Sequence, residues 1–179
     1  MNIEIILSNT IGKLEVEQVA FEVESHPEKL DGLYELTKHE NKRISWHAWW
    51  VCDTLARRHH NLFIDKESEI IEFILKSNHD GTKRLALNIL LASSHKNLFS
   101  TPLFNFCLDT LSNAGQPPAI IAICIKLAYQ MCLNKTDLMN ELAEYLEYLQ
   151  TDCYTPAVQA TLRQTTKKIK KLKKIPIPR

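Results

Sequence analysis

A cluster of residues that could bind a cation lies in the stretch RISWHAWWVCDTLARR, residues 43–58. All three tryptophans of the chain, Trp46, Trp49 and Trp50, fall there, and Asp53 comes three positions after the last of them. Indole faces attract cations, and a neighbouring carboxylate adds direct charge attraction. The cluster therefore predicts either a site for a cationic group or a set of large aromatic side chains that fill a core.

A helix is the element that would hold this cluster. At about 100° per residue, apolar residues from Ile44 to Leu55 share one side, and the tryptophans share the other side with Asp53 near its middle. A shift of 36 residues, taken from the repeat described below, aligns Trp49 with Leu85 and Asp53 with Ile89. The same column is then apolar in the next repeat, which favours packing over binding.

Asp53 needs a partner, because a carboxylate buried without one is unfavourable. Arg57 lies one helical turn later and is the nearest cation in the sequence, and Arg43 is a further candidate. Cations from other predicted helices could join the same face. The candidate binding face therefore comprises Trp46, Trp49, Trp50, Asp53, Arg57, Lys83, Arg84 and Lys126.

The end of the chain, residues 167–179, forms a basic tail. Its charged residues are Lys167, Lys168, Lys170, Lys171, Lys173, Lys174 and Arg179. Ile169, Leu172 and Ile175 recur every three positions, so the run can form a basic amphipathic helix that Pro176 ends. This pattern is typical of a solvated last helix, and also of a surface for nucleic acid, an anionic membrane or acidic parts of the same chain.

The histidines and cysteines do not form a recognisable metal or catalytic motif. Seven histidines occur without an HExxH pattern, and most lie in or near predicted turns. No two of the five cysteines are spaced as CxxC, and four fall in apolar stretches, which predicts reduced core residues. We therefore expect no metal site, no cofactor and no catalytic residue.

Composition indicates one helical domain over residues 1–179. Only four glycines occur, which favours helices with short connections. Residues 1–152 carry 14 Lys/Arg and 21 Asp/Glu, a net charge of −7, whereas residues 153–179 carry 8 Lys/Arg and no acid. No signal segment and no apolar run long enough to span a membrane is evident, so we expect a cytoplasmic location.

The sequence repeats at a period of about 36 residues. HHNLF at 59–63 recurs as HKNLF at 95–99, and each copy lies between helical patterns. The predicted helices start at Ser25, Arg43, Asp65, Leu85, Ser100 or Thr101, Ala119, Leu138 and Thr155-Pro156, with Asp80-Gly81 as a turn. The first dozen residues could form a strand or a short helix.

Alternation of amphipathic and more uniformly apolar helices, together with the SWHAWWVCDTLARR and HHNLF stretches, resembles HEAT-like repeats of the armadillo-type superhelix, as found in short bacterial HEAT-like proteins. The resemblance covers roughly residues 25–165. It implies an all-α, right-handed superhelix of about four helical hairpins. Trp49 and Asp53, four positions apart, also resemble a pair in HEAT-like DNA alkylation-repair glycosylases, where such a pair lines the groove at the lesion.

These observations favour a non-enzymatic scaffold or adaptor that binds a protein partner through one of its faces. The alternative is a nucleic-acid-binding protein related to the glycosylases, which would use the Trp49/Asp53 face and the basic tail. The acidic body and the absence of a tryptophan in later repeats speak against the glycosylase. The sequence leaves the oligomeric state open.

Overall fold

The computed structural model describes residues 1–93, 99–149 and 151–173, with the side chains of residues 151 and 173 excepted. The described residues form ten α-helices and no strand. The short-helix alternative for the first residues is therefore confirmed. The helices are α1 (Ile3–Ser8), α2 (Lys13–Ser25), α3 (Leu30–Leu36), α4 (Lys42–Arg58), α5 (Glu67–Lys76), α6 (Asp80–Ala92), α7 (Thr101–Ser112), α8 (Pro118–Cys132), α9 (Thr136–Tyr148) and α10 (Pro156–Lys173).

The chain forms two compact units, an N-terminal unit of Met1–Ser93 and a C-terminal unit of Ser94–Arg179. Helix α4 is the centre of the N-terminal unit, because α1, α2, α3 and α6 all pack against it, while α5 packs on α6. Helix α8 has the same place in the C-terminal unit, where α7, α9 and α10 pack against it. The expectation of a single domain over residues 1–179 stays a prediction.

Helix α4 forms where the sequence predicts it. The Asn41 side chain accepts a hydrogen bond from the Arg43 N–H and so caps the first turn, and Arg57 and Arg58 lie in the last turn, where cations suit the helix dipole. Nine of its seventeen residues are buried. Burial on several sides follows from its central position, because one apolar stripe would serve only one neighbour.

The predicted start at Ser25 is wrong. Ser25 ends α2, a helix that the sequence analysis did not identify, and the next helical segment begins with a 3₁₀ turn at Pro27–Lys29. No side chain caps that turn. Pro27 lacks an N–H group, so one donor that a cap would satisfy is missing there.

Two further helix starts differ from the prediction. Asp65 does not cap α5, because it lies inside a 3₁₀ turn, Ile64–Lys66, that precedes the helix. Asp80 and Gly81 form no separate turn, because α6 already begins at Asp80. His79 caps this helix, with its Nδ1 accepting from the Thr82 N–H at 3.2 Å. A histidine cap is outside the usual Ser, Thr, Asp and Asn set, so it gave no signal in the sequence.

The C-terminal unit follows the predicted pattern more closely. The Ser100 hydroxyl accepts from the Leu103 N–H and caps α7, and Pro118 occupies the first turn of α8. Tyr145 of α9 donates its hydroxyl to the Leu108 carbonyl of α7 at 2.8 Å. A half-buried aromatic with a satisfied hydroxyl can thus join two helices without leaving its polar atom unpaired.

The prediction that four cysteines belong to the core is confirmed. Cys52, Cys107, Cys124 and Cys132 are buried free thiols, and Cys153 is exposed. Burial raises the pKa of Cys52 and the pKa of Cys132, the latter to about 11, and contact with Cys124 together with burial raises the pKa of Cys107. Because the thiolate is the reactive form, the buried thiols should be inert.

We therefore expect a maleimide reagent to label one thiol per chain in the native protein and all five in urea. Mass spectrometry of the labelled protein measures both numbers, and Cys153→Ser should abolish native labelling. Rapid native labelling of a second cysteine would show that one of the buried thiols is accessible.

Candidate functional site on helix α4

Helix α4 has an exposed stripe where the helices packed against it leave its surface uncovered. Trp46, Trp50 and Arg57 follow one another at helical spacing. Trp46 is 38% exposed, Trp50 is half-buried and Arg57 is exposed. We name the surface formed by these three residues the α4 stripe.

Trp46 and Trp50 pack against one another on this stripe. Their ring centroids are 6.0 Å apart and their planes are inclined by 28°, which is a stacked arrangement. Gly81 of α6 lies beside Trp46, since a Cβ atom placed on this glycine would be 3.7 Å from the indole Nε1. Two indoles are thus held in place by their mutual contact and by α6 while one of them stays substantially exposed.

Trp49 belongs to the core instead. Its side chain is 2% exposed. Its ring stacks on Phe73 of α5 at 4.6 Å and meets Tyr34 of α3 edge-on at 6.3 Å. Its Nε1 has no hydrogen-bond partner among the described residues. Trp49 is therefore packed in the core, between Phe73 and Tyr34.

Trp49 also forms part of the wall of a cavity of about 370 Å³, together with Tyr34 and Phe73. Ion pairs occupy its rim, because Lys38 contacts Glu69 at 2.8 Å and Lys76 contacts Glu72. Charges that neutralise one another leave no clear preference for a ligand.

Asp53 is buried at 4% exposure and pairs with Arg57. Arg57 donates from Nε to Oδ1 at 3.0 Å and from Nη2 to Oδ2 at 2.8 Å, which confirms the partner that the four-residue spacing predicted. Burial raises the pKa of the Asp53 carboxyl above its usual range, while the hydrogen bonds and charge of Arg57, and the charge of Arg84, act in the opposite direction. The desolvation of this carboxylate therefore outweighs its pairing.

The remaining candidates divide between the two units. The charge of Arg84 on α6 acts to lower the pKa of Asp53, and Lys83 precedes Arg84 on the same helix. Lys126 is exposed on α8 and belongs to the C-terminal unit. The structure thus pairs Arg57 with the Asp53 carboxylate, leaves Arg84 to act on it through charge, and places Lys126 in the other unit.

Sequence reasoning missed the contribution of α2. A cavity of about 290 Å³ between α2 and α4 is lined by Lys13 and Val16 of α2 and by Trp50, Thr54 and Arg57 of α4, among others. The sequence does contain a pattern that could have revealed α2. The apolar residues Val16, Val19, Ala20 and Val23 recur at helical spacing, and all four are buried on one face of the helix.

The lysines of the basic tail lie on α10 as far as the described residues extend. Ile169 is 1% exposed and packs α10 against the rest of the C-terminal unit. The exposed lysines of this helix are Lys167, Lys168, Lys170 and Lys171. Lys170 pairs with Glu147 of α9 at 3.0 Å. The side chain of Lys173 and the whole of Lys174 and Arg179 lie outside the described residues, as does most of the HKNLF stretch.

One histidine departs from the expectation of solvated turns. His47 is buried on α4, and its Nδ1 donates to the Leu7 carbonyl of α1 at 2.7 Å. Among the residues that the structure describes, no three His, Cys, Asp or Glu side chains are grouped so that they could hold a metal ion.

Comparison with known proteins gives the class of this chain. The HEAT repeat domain family matches residues 3–169, nearly the whole sequence, so the chain belongs to the HEAT repeat family. No curated protein and no solved structure matches it. The match and the helical architecture confirm an all-α HEAT-like repeat protein, while the right-handed twist and the number of about four hairpins stay predictions. Within the described ranges, none of the helices combines the length and apolar character needed to cross a bilayer.

Proposed function

We propose that the protein is a non-enzymatic HEAT-repeat scaffold or adaptor that binds a protein partner through the α4 stripe, in the cytoplasm. The observation that carries the proposal is the Trp46–Trp50 pair, two large indoles on the surface beside an arginine that a buried aspartate orients. Tryptophan and arginine are the side chains most often responsible for binding energy in protein interfaces. Repeat proteins present such residues on extended surfaces rather than in deep pockets.

Site-specific crosslinking in cells tests this proposal. A photoreactive amino acid placed at position 46 should yield a discrete crosslinked protein. The matched control is position 75 on α5, because Leu75 is 42% exposed and Trp46 38%. A partner captured from position 46 and not from position 75 supports the proposal. Crosslinks that are absent at position 46, or equal at both positions, contradict it.

Nucleic-acid binding is the second candidate, and the exposed lysines of α10 favour it. Lys167 and Lys171 lie one helical turn apart on the side opposite Ile169, and Lys170, which pairs with Glu147, lies beside them, so the three lysines form one row. Rows of cations bind phosphate backbones, and such binding weakens steeply with salt. Because the Trp49 ring is buried, this alternative rests on the cations and not on a glycosylase-like pair.

Fluorescence anisotropy with a labelled duplex of about 20 base pairs, at low and at physiological salt, tests this alternative. Substitution is better than truncation here, since removing residues 167–179 would delete the buried Ile169. If the alternative holds, binding survives physiological salt and weakens in the triple variant Lys167→Gln, Lys170→Gln, Lys171→Gln. If binding disappears at physiological salt, or is the same in this variant, the lysine row does not serve nucleic acid.

A further inference from the structure

The cavity between α2 and α4 extends the α4 stripe towards α2. Its volume is about 290 Å³, and it is lined by Val16, Trp50 and Thr54, by the cations Lys13, Arg57 and Arg58, and by Glu17. A recess that combines an indole surface with an excess of positive charge suits a ligand with an apolar group next to negative charge.

Asp53 orients the Arg57 guanidinium and leaves part of it available to such a ligand. A guanidinium has five N–H donors, and Asp53 accepts from two of its nitrogens, so three donors remain for a ligand. The side chain is nevertheless 59% exposed. Because Asp53 fixes the plane of the guanidinium, binding through its outer edge loses less side-chain entropy than binding by a free arginine.

The other two cations differ in how far the protein already neutralises them. Arg58 contacts Glu17 and Glu24, which compensate its charge. Lys13 is exposed and forms no ion pair with any residue that the structure describes. Lys13 and the outer edge of Arg57 are thus the two positive groups that can meet a ligand at this cavity.

Positive charge at this surface contrasts with the unit around it. The N-terminal unit, Met1–Ser93, carries 11 Lys/Arg and 15 Asp/Glu, hence a net charge of −4. On α4, Arg43 and Arg57 flank the exposed Trp46 and the half-buried Trp50 over about 21 Å of helix. Cations and aromatic rings are therefore concentrated on one face of an otherwise acidic unit.

We propose that this surface binds an acidic segment of the partner protein, with an apolar side chain in the cavity against Trp50 and with carboxylates on Lys13 and Arg57. The inference rests on the proposed function and specifies the chemistry of its partner. Carboxylates match the arginine fork, which favours paired oxygen acceptors. Glu17 lines the same cavity and Asp53 pairs with Arg57, so this surface suits one or two carboxylates beside an apolar group better than the charge that a nucleic-acid strand carries at every nucleotide.

Selection from a library of displayed random peptides of about 12 residues, with the full-length protein as bait, tests the inference. Selected peptides should be rich in Asp and Glu around a large apolar residue. Anisotropy with a synthetic selected peptide should then show that Arg57→Ala weakens binding about tenfold, as expected for the loss of charge-assisted hydrogen bonds. The matched control is Lys76→Ala, because Lys76 is also an exposed cation paired with a carboxylate four residues away.

Asp53 serves here as a positioning residue, and Asp53→Asn separates this role from a purely structural one. An asparagine has one acceptor oxygen and no charge, so it cannot form the two-oxygen fork with Nε and Nη2 of Arg57, and the peptide should bind more weakly although the fold is retained. The inference is wrong if the selected peptides are not acidic, or if Arg57→Ala and Lys76→Ala bind them equally. In either case a partner crosslinked at position 46 would still support the proposed function. Displacement of the peptide by a single-stranded oligonucleotide at physiological salt would overturn the inference in favour of nucleic acid.

Discussion

Replacing Trp49 with alanine should lower the free energy of unfolding by about 3–5 kcal/mol. The indole is 2% exposed, and its faces and edges contact Phe73 and Tyr34, so its removal leaves a large void between three helices. A loss of this size is a large part of the stability of an ordinary domain. Urea denaturation followed by far-ultraviolet circular dichroism measures it without depending on the altered tryptophan.

Two variants make this prediction decisive. Trp49→Phe keeps an aromatic ring against Phe73 and should lose much less stability than Trp49→Ala. This variant keeps the prediction testable if the alanine variant does not fold. Trp46→Ala removes the same side chain from an exposed position and should cost about 1 kcal/mol or less. Equal losses in Trp49→Ala and Trp46→Ala would mean that the two tryptophans do not differ in their packing.

Asp53→Asn should raise the free energy of unfolding at neutral pH. Burial raises the pKa of this carboxyl although Arg57 and Arg84 oppose the shift, so the charged form is less favourable in the folded than in the unfolded protein. Asparagine has nearly the same shape and carries no charge. Urea denaturation of both proteins at pH 7 and at several lower pH values measures the difference.

The pH dependence of the stability difference between wild type and Asp53→Asn tests the direction of the Asp53 pKa shift. As pH falls through the raised pKa of the folded protein towards the usual value near 4, the folded protein takes up a proton before the unfolded chain does. Wild type therefore gains stability relative to Asp53→Asn in this window, and the advantage of the variant shrinks. Glu72→Gln is the control, because Lys76 lowers the pKa of the exposed Glu72 and the substitution should slightly destabilise the protein. Wild type losing stability relative to Asp53→Asn over that window would show that Arg57 outweighs burial.

How far the fold follows from the sequence is clear from α2 and α4. The α4 helix has a side-chain cap at Asn41 and basic residues in its last turn, and its pattern predicts its bounds to within a residue. In α2, Val16, Val19 and Val23 are interspersed with glutamates, and valine is a weak helix former, so the helical period is hard to distinguish from alternation. Local sequence patterns thus predicted α4, whereas they did not distinguish α2 from a strand.

The candidate site could be predicted only in part, because its exposure depends on distant residues. The spacing of Asp53 and Arg57 sufficed to pair them. Whether Trp49 is covered depends on Tyr34 and Phe73, which come from α3 and α5 and reach it through helix packing that one sequence does not specify. Lys13 was missed for the same reason as its helix.

Placement of every tryptophan on α4 makes the indole emission of this protein a reporter of one unit. All three fluorophores lie in Met1–Ser93, and Ser94–Arg179 contains none. A change in their emission therefore follows events in the N-terminal unit, whereas circular dichroism follows the helices of both. Recording tryptophan emission and circular dichroism during unfolding of one sample therefore tests whether the two units unfold together. Coincident unfolding transitions indicate a single two-state unit. Separate transitions would give each unit its own melting temperature.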